Sequence, residues 1–286
     1  MRIDRKNVIV TGASSGIGRA LAVSLARKGA VLTVASRSGE RLEELSREIA
    51  EQFPAVPRPI AVPCDVSNPR DVAALVGGAV ERLGDVDILV NNAGQSVYGE
   101  AELTSKEDFD AVMSVNLFGA LHCTREVLPF MKRRESGLIV NVASIAALYG
   151  VPYLSAYCAS KAALVAASQS LRAELDGTGI RIMIVYPGYT ETEIFEHEKK
   201  VGGARRPPGP YASPAEVGEA IVRAIEADAR DLVLTARGKA LAVLRGAAPW
   251  LVERAMRRTA RELRVRDKSS GGRRGGSAPG REGAGS

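Results

Sequence analysis

Histidine, cysteine and tryptophan are scarce in this chain, with two, three and one of each in 286 residues. Cys64, Cys123 and Cys158 are odd in number and widely scattered, which excludes a disulfide framework and paired metal-ligand spacing. A reducing, cytoplasmic compartment is expected. His122 and His197 lack acidic or cysteine partners at ligand spacing, so no metal site is expected. No apolar run approaches the ~18 residues of a spanning helix. The polar opening Met1-Arg-Ile-Asp-Arg-Lys-Asn7 runs straight into Val8-Ile-Val10, without the apolar core or cleavage site of a secretory signal. Aromatics are only 5% of the chain, and Trp250 alone accompanies the arginines near the C-terminus, so nucleic acid is not an expected partner.

The hydrophobic share of 45% and charged share of 25% are those of an ordinary globular protein. The net charge of +6 is unevenly placed. From Arg254 onward there are ten Lys/Arg against three Asp/Glu, whereas the preceding residues hold 29 basic and 30 acidic groups. A neutral body therefore carries a basic end, which favours phosphates or anionic surfaces.

Apolar, β-branched runs alternate with helix-length amphipathic segments. Strands are expected at Asn7–Thr11, Val31–Ser36, Ile60–Cys64, Ile88–Asn91, Leu138–Ala143, Arg181–Tyr186 and Asp231–Leu234. Helices are expected at Ile17–Lys28, Glu40–Gln52, Pro69–Leu83, Lys106–Arg133, Ala156–Asp176 and Pro214–Ala227. This alternation predicts an α/β fold: a doubly wound, Rossmann-type parallel sheet of about seven strands with helices on both faces. The catalytic domain is expected over 1–236, with a Gly/Pro-rich substrate loop at 190–212. An amphipathic helical extension is expected over 237–266, broken at Gly246 and Pro249, and then a Gly/Ser-rich basic tail, 267–286, too polar to fold. Within 241–258, apolar residues interleave with Arg245, Arg254, Arg257 and Arg258; this reads either as a helix packed on the pocket or another subunit, or as peripheral membrane contact.

After the first strand comes Thr11-Gly12-Ala13-Ser14-Ser15-Gly16-Ile17-Gly18, then a helix. Glycines allow a sharp turn and close approach of a diphosphate, and the helix N-terminus offers free N–H groups and a positive dipole end. Spaced in this way, the turn resembles that of the short-chain dehydrogenase/reductase family, T-G-x-x-x-G-x-G. Gly12, Ser14, Ser15, Gly16, Ile17 and Gly18 are the expected diphosphate-binding residues. The second strand ends in Ala35-Ser36-Arg37-Ser38, with no acidic residue to accept the ribose hydroxyls. Arg37 suits a 2′-phosphate, with Ser14 and Ser38 as further donors, so NADP(H) is expected over NAD(H).

The resemblance extends to Asp65 and Val66 in Cys64-Asp65-Val66, matching the family's adenine-contacting aspartate, and to Asn91-Asn92-Ala93-Gly94, matching N-N-A-G, where Asn92, Ala93 and Gly94 border the adenosine ribose. Tyr157 and Lys161 are four apart on one helix face in Tyr157-Cys-Ala-Ser-Lys161. A free phenol titrates near ~10; a neighbouring ammonium is expected to lower it, making Tyr157 the acid–base group. Ser144, thirteen residues earlier, is expected to hold the reacting oxygen. In the family the residue matching Asn116 anchors a water that links the lysine to solvent. In Pro187-Gly188-Tyr189-Thr190-Glu191-Thr192, resembling P-G-x-x-x-T, the positions of Thr190 and Thr192 contact the nicotinamide carboxamide, although the family usually has an aliphatic residue where Thr190 stands. The resemblance implies that Tyr157 and Lys161 also belong to the cofactor site.

Together these residues imply an oxidoreductase moving a hydride between NADP(H) and a carbonyl/secondary-alcohol pair. Gln95–Gly99 and Ile145–Leu154 complete the pocket with the loop at 190–212. Leu148, Tyr149, Val151, Tyr153 and Leu154 suit a lipophilic substrate, or equally core or subunit contacts. Alternatives are a 3-oxoacyl-thioester reductase and, from another class, a non-catalytic cofactor-binding regulatory protein; loss of Tyr or Lys would mark the latter, and both are present. The resemblance also implies a homodimer or homotetramer, joined through the helices holding Asn116 and Tyr157.

Overall fold

The computed structural model describes residues 1–191, 198–203 and 211–264. Seven strands, β1 (Asn7–Thr11), β2 (Val31–Ser36), β3 (Ile60–Pro63), β4 (Ile88–Asn91), β6 (Gly137–Val142), β7 (Ile180–Tyr186) and β9 (Asp231–Val233), form one sheet in the order β3-β2-β1-β4-β6-β7-β9. Every pairing is parallel, with Val10 opposite Val34 and Val90, and Asn91 opposite Asn141.

Successive side chains of a strand point to opposite faces. Val8 and Val10 of β1 join one core with Leu21, Leu42 and Val217, from α1 (Gly16–Arg27), α2 (Gly39–Gln52) and α7 (Pro214–Glu226). Ile9 joins the other with Val72 of α3 (Pro69–Leu83), Val127 of α5 (Ala120–Arg133) and Leu175, which caps the C-terminus of α6 (Ser155–Glu174). Burial on both faces explains why the strands read as continuous apolar runs. Cys64 and Cys123 lie in this second core, where burial first of all pushes their thiols up to about 11 and about 12.

The helix expected over Lys106–Arg133 is three pieces: α4 (Lys106–Met113), a π-helical turn Ser114–Gly119, and α5. A π turn inserts an extra residue and reorients side chains; here Asn116 and Gly119 are its buried residues. A second, two-stranded parallel sheet pairs β5 (Val97–Gly99) with β8 (Lys199–Val201), and Lys199 Nζ holds it to the Asp108 carboxylate of α4 at 2.7 Å. Neither short strand was expected.

At the C-terminal end, α8 (Ala236–Ala247) runs through Gly246, contrary to the expected break there, and the chain turns only at Ala248, before Pro249 opens α9 (Pro249–Leu263). Proline suits a first helical turn, where its missing N–H has no partner to lose. The Tyr153 hydroxyl donates to the Ala260 carbonyl at 3.1 Å, tying α9 to the segment before α6. Among the described residues no helix is long and apolar enough to cross a membrane. The tail at 267–286 lies outside the described residues.

Candidate active site

Strand order reverses between β1 and β4, and ligands of open α/β sheets bind at such points, beyond the strands' C-terminal ends. A cavity of about 760 Å³ opens there. Its wall runs from Arg37, Ser38 and Asp65 through Gly12, Ser14, Ser15, Gly16 and Ile17 to Ser144, Tyr157 and Lys161. Val66, Asn92, Ala93, Gly94, Pro187, Gly188 and Thr190 complete the line of expected residues; Thr192 lies outside the described residues. Gly18 is not on the wall; its role is packing.

The glycines of the turn are needed for two different reasons. Gly12 has φ +65°, and a Cβ there would stand 2.7 Å from Ala93 Cα. A Cβ on Gly18 would overlap the Gly12 carbonyl and Asn92 Nδ2. The turn is thus pressed against the segment after β4, and Asn92 braces it: Nδ2 donates to Thr11 O at 3.0 Å and Gly12 O at 3.1 Å. Thr11 Oγ1 accepts from Asn92 N and Ala93 N. Asn92 therefore shapes the phosphate turn, a role its place in the motif did not suggest. Ser15 opens α1 without a side-chain cap, which leaves the helix's first N–H groups, on the cavity wall, to a ligand.

At the far end of the cavity Arg37 is exposed and Arg41, from the first turn of α2, stands on the same wall. Sequence reasoning missed Arg41, although its spacing of four from Arg37 was a signal. Burial works against the Asp65 charge, but hydrogen bonds from Ser67 and the nearby Arg37 guanidinium outweigh it and hold the carboxyl below its ordinary value.

The catalytic candidates converge. Ser144 follows β6, accepts from Ala146 N at 3.1 Å, and its hydroxyl is hydrogen-bonded to the Tyr157 phenol. Lys161 Nζ lies 5.9 Å from the Tyr157 ring centroid and donates to Val142 O at 2.9 Å. The expected lowering of the phenol by the ammonium is not what this structure has. Burial dominates both groups, pushing Tyr157 up to about 12, against the Ser144 hydrogen bond, and Lys161 down to about 8. Each is driven toward its neutral form by desolvation, which is nearly complete for Lys161 and partial for Tyr157 on the cavity wall.

Asn116 does not reach Tyr157 or Lys161 by a hydrogen bond of its own; it builds their surroundings. Its Oδ1 accepts from Gln95 N at 2.8 Å, and its Nδ2 donates to Gln95 O and Ser160 Oγ, each at 2.9 Å. Ser160 Oγ in turn donates to Tyr157 O at 2.8 Å. The π turn thus fastens the β4–β5 loop to the helix that carries Tyr157 and Lys161. Glu198 and Lys199, from the loop expected to face the substrate, also line the cavity, as does Tyr189.

A glycine turn, a bracing asparagine and a Ser–Tyr–Lys group share one cleft at the switch point, and residues 6–201 match the family model described as short chain dehydrogenase. The chain belongs to the short-chain dehydrogenase family. It is 36% identical over 270 residues to mouse dehydrogenase/reductase SDR family member 7B, covering 92% of this chain and 83% of that one. Among solved structures it is similar to a 3-ketoacyl-(acyl-carrier-protein) reductase from Brucella melitensis complexed with NADH, with 30% identity, a TM-score of 0.73, and 81% and 97% of the two chains covered. It is also similar to a short chain dehydrogenase from Burkholderia cenocepacia in complex with NADP, with 29% identity, a TM-score of 0.76, and 90% and 99% covered. As a short-chain dehydrogenase/reductase this chain is an oxidoreductase of the CH–OH/C=O type.

Proposed function

We propose that this short-chain dehydrogenase/reductase interconverts a lipophilic carbonyl compound and its secondary alcohol with NADP(H). The observation that carries the reading is the convergence of Ser144, Tyr157 and Lys161 in the cavity whose other end bears Arg37 and Arg41 and no acidic residue at the end of β2. A dinucleotide fits this wall: the main-chain donors opening α1 suit its diphosphate, the two guanidiniums a ribose 2′-phosphate, and the run Pro187–Thr190 the nicotinamide end. Bound there, the cofactor supplies or accepts the hydride, and its oxidised ring adds positive charge to the cleft.

The protein's own residues handle the proton. Ser144 holds the substrate oxygen by a hydrogen bond, beside the phenol to which it is already bonded. In reduction Tyr157 gives its proton to the developing alkoxide; in oxidation the phenolate takes it back. Lys161, at about 8, holds a proton at neutral pH and releases it readily, which suits it to restore the proton on Tyr157. Tyr149, Val151 and Leu154 give the substrate end of the cleft its apolar surface.

A panel of ketones followed by NADPH and NADH absorbance tests the reading. Tyr157→Phe is expected to lower kcat by about 10³ while cofactor Kd holds, since acid–base groups contribute ~10²–10⁴. Near-normal turnover overturns the assignment. A higher kcat/KM with NADH than with NADPH overturns the cofactor choice. A second reading, a 3-oxoacyl-thioester reductase, is favoured by the likeness to the Brucella melitensis enzyme; activity confined to acyl thioesters would select it. Copies are inferred to associate through α5 and α6, beside which Phe118 is 48% exposed, and sedimentation equilibrium would reveal a monomer if they do not.

A further inference from the structure

The described chain exposes five large hydrophobic side chains, and three of them, Val243, Trp250 and Leu251, flank the α8–α9 corner at 71%, 63% and 47% exposure. This corner is also where the charge lies. Residues 236–264 contain eight Lys/Arg and two Asp/Glu, an excess equal to the +6 of the whole chain. The inner side of α9 is occupied: Val252 and Leu263 are buried, and Ala260 O accepts from Tyr153. Its outer side bears Arg254, Arg257, Arg258 and Arg261, all exposed, on the helix that Trp250 and Leu251 open. Glu253 and Glu262 are already engaged, by Arg257 at 2.6 Å and Arg258 at 2.8 Å.

We infer that the α8–α9 corner docks the protein on an anionic lipid surface, with Trp250, Leu251 and Val243 entering the headgroup–acyl boundary and the α9 arginines lying against lipid phosphates. Both halves of the surface point to this partner. Apolar side chains of this size gain by leaving water for acyl chains, and each basic group near an anionic leaflet adds roughly a fivefold gain in partitioning. Nucleic acid would meet the arginines but leave the apolar corner in water. A second copy of this face, related by a two-fold axis, would set arginine against arginine. Docking in this way seats the membrane beside the segment 145–153, which walls the cleft and is tied to α9 by Tyr153.

Trp250 is the sole tryptophan, so the full-length protein reports on its own docking. Vesicles of phosphatidylcholine with phosphatidylserine are expected to shift its emission to the blue, and brominated acyl chains to quench it. Neutral phosphatidylcholine vesicles or high salt should abolish binding. In co-sedimentation, W250A/L251S and R254Q/R257Q/R258Q/R261Q are each expected to bind at least about tenfold less, with the cofactor affinity and thermal melt of the parent. The proposal is overturned by an unshifted Trp250 emission, by equal binding to neutral vesicles, or by both variants binding like the parent, which would leave the tail beyond 264 as the lipid contact. Loss of duplex-DNA binding in the arginine variant with vesicle binding intact would assign the charge to nucleic acid. A change of oligomeric state in either variant would assign the face to subunit contact.

Discussion

Replacing Lys161 by methionine should make this protein inactive and more stable. The amine is 4% exposed, on α6, and burial alone lowers it from 10.5 to about 8. A fall of that size corresponds to roughly 3 kcal/mol of penalty for folding with the lysine charged, at about 1.4 kcal/mol per pH unit. Methionine has similar length and no charge to desolvate. Against this, Val142 O loses its 2.9 Å donor, which costs about 1 kcal/mol. The net expectation at pH 7 is a gain of about 2 kcal/mol. The sign comes from proton counting. Below about 8 both folded and unfolded wild type hold the proton, and the penalty is complete. Between about 8 and 10.5 the unfolded chain still binds a proton that the folded one has released, so wild-type stability rises with pH and the penalty disappears. Paired urea titrations at several pH values measure this: the advantage of Lys161→Met should shrink across that interval. A variant less stable than wild type at pH 7, or a difference flat with pH, refutes the burial argument.

The same geometry sets further outcomes. In the reducing direction, kcat/KM for the cofactor reports the free enzyme and should fall as pH rises through about 8, where Lys161 loses its proton; a flat profile would remove the lysine from proton supply. Gly18→Ala places a methyl on the Gly12 carbonyl and Asn92 Nδ2, and should cost about 1–3 kcal/mol in urea unfolding while weakening cofactor binding. Asn116→Leu removes three hydrogen bonds, strands Gln95 N and Gln95 O, and leaves Ser160 Oγ only its bond to Tyr157 O; a loss of about 2–4 kcal/mol is expected, accompanied by lower kcat. Arg37→Ala should reduce kcat/KM for NADPH about tenfold and leave that for NADH unchanged, as loss of a charged hydrogen bond predicts.

The sheet was legible in the sequence because burial on both faces leaves a plain apolar signature. Asn7–Thr11, Val31–Ser36 and Ile88–Asn91 have the strand limits expected of them, and Pro69–Leu83 the helix limits. The phosphate turn was legible for a related reason, since only glycine meets its steric demands at positions 12 and 18. What was not legible depends on contacts distant in sequence. The π turn at Ser114–Gly119 has helical composition on both sides, and its one outward sign is a polar Asn116 in an apolar stretch. β5 and β8 are three residues each and owe their existence to one another. Beyond the roles expected of them toward cofactor and water, Asn92 and Asn116 hold main chain in place with their side chains, which depends on partners distant in sequence. The rise of the Tyr157 phenol was not legible, because a helical neighbour four residues away is visible in sequence and desolvation by the surrounding fold is not.

The three free thiols make the molecule its own opening gauge. Cys64, Cys123 and Cys158 are all buried, and desolvation holds each above its ordinary value, so little thiolate exists near neutrality. Ellman's reagent will therefore advance only as fast as the chain breathes. Cys158, adjoining Tyr157 and bordering the groove beneath α9, should yield first whenever that helix lifts; Cys64, on the cleft wall, should follow local motion there, while Cys123 waits for global unfolding. Resolving the three labelling rates would separate local motion beside the cleft from the cooperative stability of the whole.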